Sequence, residues 1–106
     1  REIAVLGIKG SKPTFYGEYH NGVHRYPICH DRGRFHPTQK PLAFMKELIE
    51  RHSNTGELVL DCFAGSGTTL VAAAQSGRRS IGCERDQEFF DKASLRIREE
   101  LAKLEL

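Results

Sequence analysis

Apolar residues in the second half of the chain fall into two patterns. Leu58-Val59-Leu60 and residues 79–83 are short apolar-rich runs bounded by turn formers, the pattern of strands buried in a parallel sheet. Around them apolar residues recur three or four apart. Leu42, Met45, Leu48, Ile49 and His52 share one helical face behind Pro41, a residue suited to a helix start, and Ser53-Asn54-Thr55-Gly56 ends the run. Residues 68–76 are rich in Ala and stop at Gly77, which reads as a second helix. Asp86 stands where it caps a third, in which Phe89/Phe90, Ala93, Ile97, Leu101 and Leu104 form one face for ordinary core packing. Strands of this length alternating with such helices require βαβ crossovers, so the pattern predicts an α/β fold, mainly a parallel sheet with flanking helices.

The first third is patterned differently. Ile3-Ala4-Val5-Leu6-Gly7-Ile8 is a β-rich apolar run closed by Lys9-Gly10-Ser11-Lys12-Pro13, which predicts a buried strand and a turn. Residues 9–40 hold three of the four prolines and five aromatics without helical period, and only residues 23–28 suggest another strand. A connection this long in a compact domain carries function or packs on something else. The expectation is one partial domain over residues 1–106, with a strand and a long basic, aromatic connection in 1–35 and a βαβα part in 36–106. Three or four strands with nothing over the first leave an unpaired edge and exposed apolar faces, which predicts association, a homodimer included, or poor order in residues 9–35.

Composition narrows the classes only a little. At 106 residues the chain builds one small core, and a net charge of +2 does not by itself announce a nucleic-acid binder. No stretch approaches the roughly 20 apolar residues of a membrane span, and residues 1–5 lack a signal-peptide core, so a soluble, cytoplasmic protein without membrane partners is expected. Cys29, Cys62 and Cys83 are odd in number and widely spaced, hence free thiols. Cys29-His30 with His20 and His24 matches no common metal-ligand spacing, so no metal is expected.

The chemistry concentrates in DCFAGSGTT, residues 61–69, directly after the apolar run 58–60. In open α/β sheets the ligand lies beyond the strand C-termini, where a Gly-rich turn admits it and the next helix presents free N–H groups. A nucleoside triphosphate site wants GxxxxGK(S/T), and no lysine follows Gly65 or Gly67 before Lys92. A dinucleotide site wants GxGxxG, and Leu70 stands where the third glycine belongs. What remains is one acid, Asp61, at the end of the first strand and another, Glu84, at the end of the next, where a carboxylate accepts both hydroxyls of a ribose. With glycine-turn amides for a carboxylate and Asp61 for an ammonium, the pattern describes S-adenosylmethionine. A plain strand-to-helix turn is the competing explanation of the glycines. Neither Gly67 nor Glu84 is required by the inferred core.

His36-Pro37-Thr38-Gln39-Lys40-Pro41-Leu42, then a helix, then residues 61–69, then Gly82-Cys83-Glu84-Arg85-Asp86 resembles the C-terminal part of the DNA amino-methyltransferases. These enzymes modify the exocyclic nitrogen of adenine or cytosine, and the likeness is to the permuted subgroup whose catalytic motif precedes the cofactor motif. It covers residues 36–98 strongly and 1–35 weakly. The resemblance implies a partial Rossmann-like S-adenosylmethionine-dependent methyltransferase fold and a bacterial or phage protein of restriction-modification type. It implies that Phe63, Ala64, Gly65, Ser66, Gly67 and Thr68 wrap the methionine part of the cofactor, with Asp61 near its amino-acid tail and Glu84 on the ribose. Thr38 and Lys40 lie against the same cofactor, Lys40 as a cation able to meet a carboxylate.

The family reaction needs a flipped-out base held by an Asp/Asn/Ser-Pro-Pro-Tyr/Phe loop. Pro13, Pro27, Pro37 and Pro41 are each isolated, so no residue here is assigned as catalytic, and the loop is expected in a missing N-terminal part. Lys12, Arg25, Arg32 and Arg34 among Phe15, Tyr16, Tyr19, Tyr26 and Phe35 suit phosphate contact and base stacking, Arg32 and Arg34 foremost. The expected function is therefore the cofactor-binding part of an enzyme that methylates double-stranded DNA, adenine preferred to cytosine, the chain alone being incomplete and inactive. The alternatives are a truncated, non-catalytic interaction module and a small-molecule methyltransferase, which shares the glycine turn but does not predict HPTQKP.

Overall fold

The computed structural model describes residues 3–10, 22–27 and 39–104. Five elements follow in order: α1 (Leu42–His52), β1 (Leu58–Asp61), α2 (Thr68–Gln75), β2 (Arg79–Gly82) and α3 (Gln87–Leu104). The two strands pair in parallel, Leu58 opposite Arg79 and Asp61 opposite Gly82, with α2 as the crossover. The expected α/β architecture with parallel pairing and flanking helices is borne out.

The helix ends follow their sequence signals. Pro41 is the N-cap of α1, one residue ahead of the first turn, and Arg51 and His52 lie in the last turn, where positive charge complements the helix dipole. At the end of α2, Gly77 adopts φ +76°, the Gly77 amide donates to the Ala74 carbonyl at 3.2 Å and the Arg78 amide to the Ala73 carbonyl at 2.8 Å. That pair of bonds is a Schellman stop, and glycine permits it because it has no Cβ to clash in the left-handed conformation. The Arg78 side chain then satisfies further carbonyls, donating to Ser53 O at 2.7 Å and Ser76 O at 2.6 Å, which ties the ends of α1 and α2 together. Asp86 accepts the Phe89 amide at 3.0 Å, the cap expected for α3.

The core is small. Ile49 of α1 meets Ala72 and Ala73 of α2, flanked by Leu42, Met45 and Val59. Alanines let the helices approach closely, and at Gly82 the approach is closer still: a Cβ there would lie 2.7 Å from Leu70 Cδ1. Three expectations fail. Residues 3–8 form no strand and stand exposed, Val5 at 93 %, because β1 and β2 pair only with each other among the described residues and a strand without a partner has no ladder to join. Residues 23–27 are likewise no strand, and among the described residues the sheet has two strands rather than three or four. The apolar face of α3 buries only Ala93, while Phe90, Leu101 and Leu104 remain exposed, since α3 packs on α2 and its length outruns the eight-residue helix beneath it.

Residues 22–27 instead rest on α1. The rings of His24 and Tyr26 each lie 5.3 Å from that of Phe44, and both side chains reach the carboxylate of Glu47. Arg51 donates to the other Glu47 oxygen at 3.0 Å. The Tyr26 hydrogen bond, helped by Arg51 and His24, holds the Glu47 carboxyl below its ordinary pKa, and the same bond raises that of the phenol.

Candidate functional site

The turn between β1 and α2 is held by hydrogen bonds within itself and by two to the residues that follow β2, Cys83 and Glu84. Asp61 starts it, its Oδ1 accepting the Phe63 amide at 3.0 Å in an Asx turn. The Ala64 amide donates to Cys83 O at 2.8 Å, and the Gly67 amide to Ala64 O at 2.8 Å. Glu84 closes the arrangement: Oε1 accepts the Gly65 amide and Oε2 the Asp86 amide, each at 2.8 Å. One carboxylate thus bridges the glycine turn and the start of α3.

Two of the glycines sit at positive φ, Gly65 at 55° and Gly67 at 83°. A Cβ on Gly67 would lie 3.2 Å from Ile97 Cδ1 and 3.3 Å from the Ala93 Cβ, so this residue faces α3. The sequence reading that neither Gly67 nor Glu84 serves the core is therefore corrected: Gly67 seats the turn on α3, and Glu84 holds it closed. The expectation that glycine-turn amides meet a ligand carboxylate is corrected as well for Gly65 and Gly67, whose N–H groups are already bonded within the protein.

Beyond the strand ends lies a cavity of about 270 Å³. Lys40 and Gln39 border it on the approach to α1, Asp61 and Glu84 at the ends of the strands, and Phe63, Ala64, Gly65, Ser66 and Thr68 along the turn. Ser66 and Thr68 are buried, whereas Phe63 is 90 % exposed. Of the residues assigned from sequence, Gly67 does not line the cavity, and Thr38, Arg32 and Arg34 lie outside the described residues, as do Cys29, His20 and His30. Cys62 and Cys83 are free and exposed. Sequence reasoning passed over Gln39, Met45 and Thr69, which also border the cavity. Gln39 was legible as a member of HPTQKP, but Met45 matched the helical core pattern equally well and gave no separate signal.

Arg96 of α3 was missed too. Its Nη1 donates to Ser66 O at 3.2 Å and to Thr68 Oγ1 at 3.0 Å, with Ser66 Oγ at 3.4 Å, clamping the turn from behind. The two hydroxyls are themselves 3.0 Å apart.

The sequence profile of a DNA methylase family matches residues 11–95. The chain belongs to that family. It is 49 % identical over 76 residues to the DNA adenine methyltransferase YhdJ of Escherichia coli K12, covering 65 % of this chain and 26 % of YhdJ. To the type II methyltransferase M1.MboII of Moraxella bovis it is 44 % identical over 59 residues, 56 % of this chain and 23 % of that protein. Among solved structures, the M1.HpyAVI–SAM complex superimposes with a TM-score of 0.65 at 39 % identity, over 80 % of this chain and 43 % of that one. This methylase chain spans about a quarter of the length of the curated relatives it matches. The Rossmann-like methyltransferase fold inferred from HPTQKP and DCFAGSGTT is borne out by these matches.

Proposed function

We propose that the chain is the S-adenosylmethionine-binding, C-terminal part of a DNA methyltransferase that acts on the exocyclic amino group of adenine. One observation carries this reading: Lys40, Asp61, the glycine turn and Glu84, from three separate stretches of sequence, converge on one cavity beyond the ends of parallel strands. The donor set suits the cofactor. Lys40 is a cation for the carboxylate of a zwitterionic tail and Asp61 an anion for its ammonium, while Glu84 is a carboxylate acceptor for ribose hydroxyls. The cavity is near the lower end of small-molecule sites, roughly 300–1,000 Å³, and it is open where Phe63 stands exposed. Thr38 is assigned to the same site on the strength of its motif.

Bound there, S-adenosylmethionine supplies a sulfonium methyl for transfer. The protein's part within this chain is orientation: Asp61 and Lys40 fix the tail, and Glu84 fixes the sugar. The base-holding Pro-Pro loop belongs to polypeptide beyond this stretch, so the chain alone binds cofactor without turnover, and its substrate in the complete enzyme is double-stranded DNA. Adenine follows the name of YhdJ. Arg32 and Arg34 are assigned to DNA phosphates.

Calorimetric titration with S-adenosylhomocysteine tests the cofactor reading. Binding is expected for the parent, with a loss of about ten- to a hundred-fold on Lys40→Ala or Asp61→Ala, the scale of one charged hydrogen bond. A parent chain that does not bind, or variants that bind like the parent, would leave an interaction module as the better reading.

A further inference from the structure

We infer that Arg96 sets the ligand specificity of the glycine turn: by donating to the Ser66–Thr68 pair it fills acceptor sites there, turns the pair toward the ligand as a donor, and so selects a ligand that carries a carboxylate. The inference rests on the nucleoside-cofactor reading of the cavity.

The argument is a count of donors and acceptors. Guanidinium has only N–H donors and keeps its charge at every accessible pH. Arg96 Nη1 donates to Thr68 Oγ1 at 3.0 Å and to Ser66 O at 3.2 Å, so it consumes acceptor capacity on the turn. Ser66 Oγ and Thr68 Oγ1 lie 3.0 Å apart, which places one hydroxyl proton between them. Two hydroxyls own two protons. Whichever of them donates within the pair, the other's proton remains for an acceptor outside it.

Both side chains are buried and both border the cavity, so an acceptor on the ligand is within their reach. The positive guanidinium behind them favours an anionic one, and the free N–H groups at the start of α2 add to the same field. The amides of Gly65 and Gly67 are already bonded within the protein, which leaves the hydroxyls as the donors that the turn can offer from its side chains. Arg96 is thus a positioning residue. It acts on the ligand's amino-acid carboxylate through Ser66 and Thr68.

Two nucleoside thioethers separate this from a purely structural role. S-adenosylhomocysteine carries the amino-acid tail, and 5′-methylthioadenosine shares the nucleoside and sulfur without it. Calorimetric affinities of the 106-residue chain for both are compared in the parent, Arg96→Met and Thr68→Val. The parent prefers the tailed ligand. Each variant is expected to reduce that preference by about tenfold, chiefly by weakening S-adenosylhomocysteine, and the double variant by no more than either alone. Thermal midpoints and amide exchange at Gly65, whose N–H is held by Glu84, show whether the turn stays closed in each variant. Thr68→Val keeps the side-chain volume and decides the matter should Arg96→Met unfold. A preference unchanged in both variants, or equal weakening of both ligands, overturns the inference while the cofactor reading stands. A parent that binds both equally overturns it as well. A parent that binds neither overturns the cofactor reading, and the inference with it.

Discussion

Gly67 and Glu84 differ in how they hold the glycine turn, and substitutions separate the two. At Gly67 the backbone itself requires glycine, since φ is +83° and a Cβ would press on Ile97 and Ala93 at 3.2–3.3 Å. Gly67→Ala is expected to destabilise by about 1–2 kcal/mol, the cost of a left-handed non-glycine residue, and Gly67→Val by more, because a branched side chain meets α3. Thermal or urea unfolding reads this, and an unchanged midpoint would show that the turn relaxes freely. At Glu84 the backbone has no such demand. The side chain does the holding through two amide bonds of 2.8 Å, so Glu84→Ala frees the Gly65 and Asp86 amides together. Faster exchange at Gly65 is expected in Glu84→Ala, with a loss of about 1.5–3 kcal/mol. Glu84→Gln keeps one acceptor and should fall between. Equal exchange in all three proteins would mean that the hydrogen bonds to Ala64 and Cys83 suffice to close the turn.

Among the elements, the contact of residues 22–27 with α1 carries a pH dependence. The folded pKa of Glu47 is depressed by the Tyr26 phenol, so the contact's contribution is complete above the ordinary carboxylate pKa and is lost as pH falls through the lowered one. Tyr26 is shifted the other way. Its raised pKa makes the contribution complete below about pH 10, the ordinary tyrosine value, and lost as the phenol ionises above that. The contact is therefore strongest across the neutral range and weakens at both extremes. Chemical shifts of Tyr26 and Phe44 followed against pH should show both limbs, and Glu47→Gln should erase the acid one; an acid limb that survives in Glu47→Gln belongs to another group. No local pattern signals this contact, because His24 and Glu47 are 23 residues apart and belong to no shared motif. α1, α2, α3, β1 and β2 were legible for the opposite reason: Pro41, Gly77 and Asp86 are local signals acting on local conformation. Residues 3–8 show the limit of such reading. Their alternation of Ile, Val and Leu suits a strand, yet a strand is completed by its neighbour, and composition does not supply one. The site divides in the same way, with Asp61, Gly65 and Glu84 visible in motifs and Arg96 visible only once α3 lies across the turn.

For the whole molecule, the side of the sheet opposite Val59 bears on association. Leu58, Leu60 and Ile81 each stand at least half exposed there, and residues 3–8 add Ile3, Val5, Leu6 and Ile8 to the uncovered apolar surface. Parallel sheets are ordinarily covered on both faces, and each fully buried Leu or Ile contributes about 1.5–3 kcal/mol, so leaving this face in water forgoes several such terms. In the complete enzyme we expect further polypeptide to cover it. In the isolated chain we expect a second copy to cover it, since no described residue does. Sedimentation velocity over a range of concentrations should then show self-association, and Leu60→Lys, placed at the middle of the face, should shift the chain toward monomer without moving the cavity on the far side of Asp61. Tyr26 and Phe44 shifts, which report a distant contact on α1, serve as the check that Leu60→Lys remains folded. A parent that stays monomeric at all concentrations, with slow amide exchange through residues 9–35, would show that this face is stable in water and that the chain needs no partner to complete it.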